Sequence, residues 1–351
     1  MNTYRKKGCF RMNHTYRERE ITNPVTLCDE KGHLKPDSIG WSRKPLISGN
    51  VSGHFLRKKK WNYWCITNKD VLFSVTISHM DYAMVCFVYY LDLHTKTFYE
   101  KTALFPFKSN KALPDDVLAS AQLSSKQMNI EQLWKNNSFY LNVEIPHFNQ
   151  EQLQASIEIS YPETDSLSVV IPWSDQNFQL TTKMHCLPTK GTLTIGSKTY
   201  SFSPEDSFAS LDYGRGVWPR NCTWNWGMAS GKQGNNLIGL NFGGQWTDGT
   251  GYNENGVLIN GRLTKISEDM KFIYNRMNFM EPWKIHSLAS DCVRLTFTPT
   301  FERIAKTDAK IVKSEVHQMI GFYNGEIRLD DQTVITIEQM PGCIEEHIAK
   351  W

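Results

Sequence analysis

Residues 54–93 read HFLRKKKWNYWCITNKDVLFSVTISHMDYAMVCFVYYLDL. The stretch contains two segments, DVLFSVTIS and AMVCFVYYLDL, in which β-branched and aromatic residues alternate with smaller residues or follow one another directly. Segments of this kind, bounded by polar turn residues, are typical of β-strands. The stretch therefore predicts consecutive short strands with at least one buried face.

Four cations, Arg57 to Lys60, come directly before WNYWC. Gathered on one surface, they would indicate a site for nucleic acid or for an anionic membrane. In an extended chain, however, successive side chains point to opposite faces, so that Arg57 and Lys59 separate from Lys58 and Lys60. The pattern favours a charged strand start that leads into an aromatic core, and an electrostatic binder remains the third-ranked alternative.

The same pattern continues along the chain. A dozen segments, among them FYLNVEI, LQASIEISY, LSVVIPW, NLIGLNF and VRLTFTPTF, are separated by turn sequences such as YPETDS and TDGTGYNENG. This spacing predicts an all-β protein built as a sandwich or barrel. The best helix candidate is Leu113 to Ser125, LPDDVLASAQLSS, because Pro114 and two acidic residues suit a first helical turn.

A second stretch repeats the features of the first. Residues 212–262 contain arginines, then WNW at Trp224 to Trp226, an alternating strand, a polar tip with Asp248, and another strand. Residues 54–93 contain cations, WNYW, a strand, Asp81 and another strand in the same order. The repetition predicts two similar β domains, 41–203 and 204–351, after an N-terminal extension of residues 1–40.

Composition narrows the possible functions. Among 351 residues, 39 Lys and Arg oppose 36 Asp and Glu, so the formal charge of +3 does not point to a polyanionic partner such as nucleic acid. The most apolar run, Tyr82 to Leu91, is about half as long as a membrane-spanning helix. The N-terminal residues show no secretory signal, and eight scattered cysteines form no C-x-x-C pair. We expect a cytoplasmic protein with no disulfides, no metal site, no cofactor and no integral membrane segment.

Several segments resemble an uncharacterised family, the domain of unknown function 2804. They cover nearly the whole chain from Arg19 to Trp351 and include REITNPVTLCDEKGHLKPDSIGWSRKPL, RKKKWNYWCITN, FASLDYGRGVWP, WNWGMASG and GLNFGGQWTDGTGYNENGVLINGRLTKI. The family has no assigned reaction.

A more distant similarity carries an expected function. LDYGRG followed by WNW is similar to Asp-His-x-Trp-Gly followed by Trp-Asp-Trp in carotenoid hydratases, tocopherol cyclases and fungal Diels-Alderases. These proteins place a pocket for a hydrophobic polyene in two lipocalin-like domains and perform hydration or cyclisation without a redox cofactor. The resemblance implies that Asp212 takes the place of the motif Asp. The chain departs from the motif at three positions, which are Tyr213 (His in the hydratases), Arg215 (Trp) and Asn225 (Asp).

Hydration or cyclisation of an alkene requires an acid that protonates carbon in a site shielded from water. Asp248 follows Trp246 by two residues and is flanked by glycines, so it is the first candidate for the proton donor. The alternative is that Asp248-Gly249 forms an ordinary hairpin turn. Asp81, the counterpart of Asp248 in the first repeat, is a weaker candidate for the ligand-binding site.

The remaining candidates surround the motif. Asp212 and Arg215 are expected to form an ion pair that orders the site, or else a structural clasp between the domains. Tyr213 is expected to hydrogen-bond a substrate oxygen. The candidates for ligand binding are Arg215, Trp224, Trp226 and Trp246. For Trp224 and Trp226 the alternative is an ordinary core role.

Together these observations predict two lipocalin-like (calycin-type) antiparallel β domains, as barrels or sandwiches, packed together. The expected ligand is a hydrophobic small molecule such as an isoprenoid, a polyene or a lipid, and the expected activity is acid–base hydration, isomerisation or cyclisation without a cofactor. The alternative is a lipid or isoprenoid carrier with no catalysis. The sequence leaves the oligomeric state open.

Overall fold

The computed structural model describes residues 18–107, 113–308 and 313–350. In these ranges the chain forms β-strands and one 3-10 turn, Pro36–Ser38, with no α-helix. The predicted all-β fold is confirmed. Within the same ranges, no helix has the length and hydropathy needed to cross a membrane.

A first sheet contains 13 strands. Its bounds are β2 Trp41–Ser42, β4 Lys58–Thr67, β5 Val71–His79, β6 Ala83–Asp92, β7 Phe98–Pro106, β8 Ala121–Ser124, β9 Asn129–Lys135, β10 Ser138–Phe148, β11 Glu151–Ser160, β12 Leu167–Pro172, β13 Phe178–Ile195, β14 Lys198–Phe202 and β15 Phe208–Val217. Two further short strands, β1 Val25–Thr26 and β3 Ile47–Ser48, pair with each other in parallel.

The order of strands in the first sheet is β7-β6-β5-β4-β15-β13-β11-β10-β9-β8. In addition, β12 and β14 pair with β13, and β2 pairs with β12. The strand β15 therefore joins two groups of strands that precede it in the sequence. It pairs with β4 along one edge and with β13 along the other.

The second sheet contains nine strands, in the order β19-β18-β17-β16-β24-β23-β22-β21-β20. Their bounds are β16 Asn221–Gln233, β17 Asn236–Gly244, β18 Gly256–Ile259, β19 Arg262–Lys265, β20 Met270–Ile273, β21 Trp283–Ser287, β22 Val293–Asp308, β23 Lys313–Arg328 and β24 Val334–Lys350. In this sheet β16-β17-β18 is an antiparallel meander, as β4-β5-β6 is in the first sheet.

Each sheet curls into a half-barrel around its own hydrophobic core. Alternate residues of the central strands then point outward, and these outward faces pack against each other. In β4, for example, Trp64 lies in the first core against Phe139, whereas Tyr63 faces the second sheet. The fold thus has two cores and, between them, a layer formed by both sheets.

The chain passes from the first sheet to the second between Val217 and Asn221. The predicted domain boundary at residues 203/204 falls between β14 and β15, two strands of the first sheet. The division into domains stays a prediction, and sheet membership assigns the LDYGRG motif to the first sheet.

The predicted helix at Leu113 to Ser125 is wrong. Residues 113–120 form bends, and the strand β8 follows. The carbonyl of Pro114 accepts hydrogen bonds from the Arg215 guanidinium, at 2.8 Å from Nη2, and the carbonyl of Asp115 accepts one from Gly49. Because these carbonyls bind partners elsewhere in the fold, the segment is held in an irregular conformation that local helix signals do not reveal.

The predicted strand at the cation run is confirmed, since Lys58–Thr67 forms β4. The cations do not gather on one surface. Lys58 pairs with Asp81 at 3.0 Å and Lys60 with Asp115 at 2.7 Å, and the Lys59 side chain is buried over the Tyr82 ring.

Candidate active site between the sheets

The layer between the sheets contains a row of polar side chains from the first sheet. Lys183 on β13, Asp212 on β15 and Tyr63 on β4 are consecutive cross-strand partners, so their side chains share one face. A register irregularity between Met184 and Leu187 interrupts β13 beside this row. Irregularities of this kind are common next to functional sites because they change the direction of a side chain.

A matching row crosses the second sheet. Trp226 on β16, Glu345 on β24 and Gln318 on β23 are also consecutive cross-strand partners. The two rows face each other: Lys183 Nζ lies 4.4 Å from the centre of the Trp226 ring, and the Tyr63 ring meets the Trp226 ring edge-on at 5.9 Å.

At the centre of the site, one lysine lies between two carboxylates. Lys183 Nζ is 2.8 Å from Asp212 Oδ1 and 3.1 Å from Glu254 Oε2. The side chain of Glu254 is 2% exposed, whereas that of Asp212 is 15% exposed. Burial disfavours the charged lysine, but the two carboxylates outweigh burial and raise the pKa of Lys183.

Glu254 has the environment of a buried acid. Burial raises the pKa of the Glu254 carboxyl and Asp212 adds to the effect, while Lys183 and a hydrogen bond from Trp246 oppose it. The close fit depends on Gly243, where a Cβ would come within 2.3 Å of Glu254 Oε1. Because one lysine neutralises only one of two carboxylates, the second is favoured in its protonated form and can donate a proton.

Five tryptophans form a cluster at one side of this site. Trp218 lies at its centre, with ring centroids 4.9 to 6.1 Å from those of its four neighbours, Trp61, Trp173, Trp224 and Trp246. Trp218 and Trp246 are buried, and the other three are half-buried. The half-buried rings give the cluster an apolar aromatic surface next to Asp212.

Three of the indole N–H groups donate to carboxylates. Trp61 Nε1 donates to Asp212 Oδ2 at 3.1 Å, Trp246 Nε1 to Glu254 Oε1 at 2.9 Å, and Trp224 Nε1 to Glu345 Oε1 at 3.1 Å. The aromatic cluster and the acidic groups are therefore one structure, in which each of these rings orients a carboxyl group.

Glu345 supplies a third acidic group. Burial raises the pKa of the Glu345 carboxyl to about 7, although the hydrogen bond from Trp224 lowers it. Gln318 Nε2 donates to the other carboxyl oxygen at 3.1 Å, and Tyr89 OH donates to Gln318 Oε1 at 2.7 Å. This chain of hydrogen bonds connects Glu345 with the first sheet.

His185 lies beside Lys183 as a neutral group. Its ring nitrogens contact Ser210 Oγ at 3.1 Å and Asn241 Oδ1 at 3.2 Å, and burial lowers the pKa of His185 to about 4. A cavity of about 10 Å³ adjoins Lys183, His185 and Asn241, which is close to the space that one water molecule needs. A larger open cleft, of about 490 Å³, lies elsewhere, at the segment lined by Cys28 and Asn50.

The structure brings together four of the predicted site residues. Asp212, Trp224, Trp226 and Trp246 all lie in the layer between the sheets, and each bonds or stacks with another member of the site. Trp226 Nε1 donates to Asn241 Oδ1 at 2.9 Å.

The predicted ion pair between Asp212 and Arg215 is wrong. Residues three apart in a strand point to opposite faces, so Asp212 meets Lys183 while Arg215 points away. Arg215 is fully buried and donates to the carbonyls of Trp61 and Pro114, each at 2.8 Å. Tyr213 is also buried on that face, and its hydroxyl donates to the Asp115 carbonyl.

The prediction that Asp248 lies in a site shielded from water is also wrong. Its side chain is exposed, and Oδ1 accepts a hydrogen bond from the Gln245 amide at 2.9 Å within the same turn. The turn interpretation of this aspartate is therefore the better one. Asp81 likewise occupies a turn, with φ of 73°, and pairs with Lys58.

Sequence reasoning missed Lys183, Glu254 and Glu345. A signal was present for Lys183, since a lysine in the middle of FQLTTKMHCL interrupts a segment with strand character. Glu254 lies six residues after Asp248 in the same loop, and nothing in TDGTGYNENG distinguishes the buried acid from the exposed one. The EEH sequence at Glu345 does not reveal which glutamate points to the other sheet.

Known proteins match this chain in family and in fold. The family model described as Domain of unknown function (DUF2804) matches residues 18–351. No curated protein matches the sequence. The structure of CghA with Sch210972 is similar with a TM-score of 0.50 at 8% identity, over 92% of this chain and 97% of that one. Kievitone hydratase from Nectria haematococca gives a TM-score of 0.44 at 10% identity, over 86% and 90%. The lipocalin-like fold expected from the sequence is confirmed.

Among the described residues, no group of three or more His, Cys, Asp and Glu side chains is placed to bind a metal ion.

Proposed function

The chain belongs to the DUF2804 family, and we propose that it is an acid–base enzyme that hydrates, isomerises or cyclises an unsaturated hydrophobic small molecule between its two sheets. The observation that carries the proposal is the group of Lys183, Asp212 and Glu254, in which one lysine serves two carboxylates beside a cluster of tryptophans. The reaction uses the side chains of the chain itself.

In this proposal Glu254 is the proton donor. Burial raises the pKa of the Glu254 carboxyl and so favours its protonated form, because the charged form is poorly solvated and only partly compensated. When Glu254 gives the proton to a carbon atom, the remaining carboxylate is stabilised by Lys183 at 3.1 Å and by the N–H of Trp246. The aromatic faces of the cluster stabilise the positive charge that develops on the substrate.

The substrate reaches the site at the edge where the tryptophans are half-buried. Asp212 is the most exposed of the three central groups and lies between Trp61 and Lys183. A hydrophobic molecule placed against Trp61 and Trp224 would be next to the acidic groups without displacing either core. The shared fold supports a small-molecule role, since the CghA structure contains Sch210972.

The deciding experiment compares two carboxyl-to-amide changes in one loop. Solvent extracts of the purified protein, examined by mass spectrometry, identify the bound compound and provide the assay. Glu254→Gln is expected to leave binding of that compound nearly intact and to reduce turnover by about 10²–10⁴-fold, because the amide cannot supply the proton. Asp248→Asn, which removes an exposed carboxyl six residues away, is expected to leave both unchanged.

Two results would contradict the proposal. Full turnover by Glu254→Gln would remove its proton donor. Binding of the extracted compound with no turnover in the native protein, at any pH tested, would favour the carrier.

We also propose a cytoplasmic location. The seven cysteines in the described ranges form no disulfide bonds with one another, which fits a reducing compartment. Cys9 lies outside the described residues.

A further inference from the structure

Residues 18–21, here called the N-terminal strap, run along the edge of the first sheet. The amide of Ile21 donates to the Trp41 carbonyl at 2.7 Å, and the amide of Trp41 donates to the Arg19 carbonyl at 3.0 Å. Trp41 begins β2, which pairs with β12 in the first sheet. The backbone of the strap therefore belongs to the first half of the molecule.

The side chain of Glu18 belongs to the other half. It is buried, and its Oε1 accepts a hydrogen bond from the Asn253 amide at 2.8 Å, while Oε2 lies 2.5 Å from Lys265 Nζ. Lys265 is on β19 of the second sheet and also donates to Asn253 Oδ1 at 2.7 Å. The strap thus crosses from one sheet to the loop that carries the acidic group of the other.

The hydrogen bond from Asn253 to Glu18 belongs to a set of contacts that hold residues 253–255, and therefore Glu254, in place. Asn253 Oδ1 accepts the Asn255 amide at 2.9 Å, and Asn255 Oδ1 accepts the Gly243 amide at 2.8 Å. Asn253, Glu254 and Asn255 are each 2% exposed or less. A buried loop without regular secondary structure needs such side-chain partners, and Glu18 supplies the one next to Glu254 in the chain.

We propose that Glu18 is a positioning residue for Glu254, and that the N-terminal strap thereby contributes to the site between the sheets. The inference rests on the proposed function in treating Glu254 as the reactive acid. It extends that function to a segment that composition and pattern assign to a separate extension.

The test compares two glutamates of the strap. Glu18→Gln keeps the shape of the side chain and removes its charge. Glu20→Gln removes a charge from an exposed position, where the glutamate contacts Arg43 at 2.9 Å, and serves as the matched control. Hydrogen exchange is measured at the amides of residues 253–255 and Gly243, and at reference amides in the second core on β22 and β23.

We expect Glu18→Gln to accelerate exchange at residues 253–255 and Gly243 by about tenfold or more, with the reference amides unchanged, because local opening becomes easier. Glu20→Gln should match the native protein at every amide. Should Glu18→Gln fold poorly, Glu18→Asp keeps the charge but shortens the reach to Asn253, and it should give the same local acceleration.

A second readout reports on Glu254 itself. The carboxyl bonds Trp246, so its titration changes tryptophan fluorescence, and the transition missing in Glu254→Gln is assigned to Glu254. In Glu18→Gln that transition should move to lower pH by about one unit. The cause is that the loosened loop admits water, which solvates the charged carboxylate of Glu254 and so favours it.

Unchanged exchange and an unchanged transition in Glu18→Gln would overturn the inference. So would equal acceleration at the loop and at the reference amides, since that would show a general loss of stability. If Glu18→Gln behaves as expected while Glu254→Gln keeps full turnover, the positioning contact stands and the proposed function fails.

Discussion

At the scale of single residues, Glu345 and Glu346 show how one strand separates two similar groups. Glu345 faces the layer between the sheets and bonds Trp224 and Gln318. Glu346 points to the opposite face of β24 and pairs with Arg276 at 2.6 Å. The hydrogen-bond donors to Glu345 are neutral, and the charges of Arg303 and Lys183 offset its burial only in part.

The burial of Glu345 predicts that the stability of the protein depends on pH through the titration of this carboxyl group. A carboxyl with a pKa raised to about 7 in the folded protein, against 4.5 as the ordinary value, favours folding in its protonated form. The free energy of unfolding therefore falls as the pH rises from about 4.5 through 7. The loss reaches about 3 kcal/mol once Glu345 is fully deprotonated. Glu345→Gln should remove this penalty: its unfolding free energy relative to the native protein should increase between pH 5 and pH 8, measured by urea titration.

Glu346→Gln is the control for the loss of a carboxylate on the same strand. It breaks the contact with Arg276 and leaves the layer between the sheets intact. A relative stability of Glu345→Gln that is the same at pH 5 and pH 8 would show that Glu345 does not titrate in this range.

At the scale of one element, β4 carries two tryptophans with different roles. Trp64 is 1% exposed in the first core, with its ring 4.9 Å from that of Phe139. Trp61 is half-buried on the other face and donates to Asp212. The alternation of side chains along the strand therefore assigns one tryptophan to the core and the other to the candidate site.

Alanine substitution should separate these roles. Trp64→Ala is expected to lower the free energy of unfolding by about 3–5 kcal/mol, because it leaves a large cavity in the core. Trp61→Ala is expected to cost clearly less, since the ring is already partly solvated, but to weaken binding of the extracted compound. Denaturant unfolding and binding measurements on both variants check this, and equal losses of stability would refute the division of roles.

The pattern of β4 also shows how far sequence reasoning reaches. The alternation of residue types with a period of two identified the strand and its two faces, because residues on a buried face differ in type from their neighbours. The position of β15 could not be predicted in this way, since pairing with β4 and β13 depends on contacts far apart in the sequence. The same limit explains the site: the aromatic motif and Asp212 were found, whereas Lys183 and Glu254 become neighbours only when β13 meets the loop before β18.

At the scale of the whole molecule, the cysteines are distributed over both cores and the layer between them. Cys86 lies in the first core, and Cys65 and Cys343 lie between the sheets. Cys222 and Cys292 are half-buried and closer to solvent. Their reactivity with a thiol reagent therefore reports on how the parts of the molecule open.

We expect all eight cysteines to react in denatured, unreduced protein, as the proposed cytoplasmic location requires. In the native protein, Cys222 and Cys292 should react first. Cys65, Cys86 and Cys343 should react later and at one common rate, because the layer between the sheets joins the two cores in one cooperative unit. Fewer than eight thiols in freshly prepared protein would contradict the proposed compartment, and clearly separate rates for the three buried thiols would contradict a single cooperative unit.

The location of β15 has a consequence for the way the chain is made. On the ribosome, β4 to β7 and β8 to β14 emerge before β15, yet β15 is the strand that joins them. Until residue 217 has left the exit tunnel, β4 and β13 each present an unpaired edge, and such edges can pair with other chains. Translation of this protein therefore includes an interval, from the emergence of β4 at Thr67 to that of β15 at Val217, in which the nascent chain exposes a strand edge that favours aggregation.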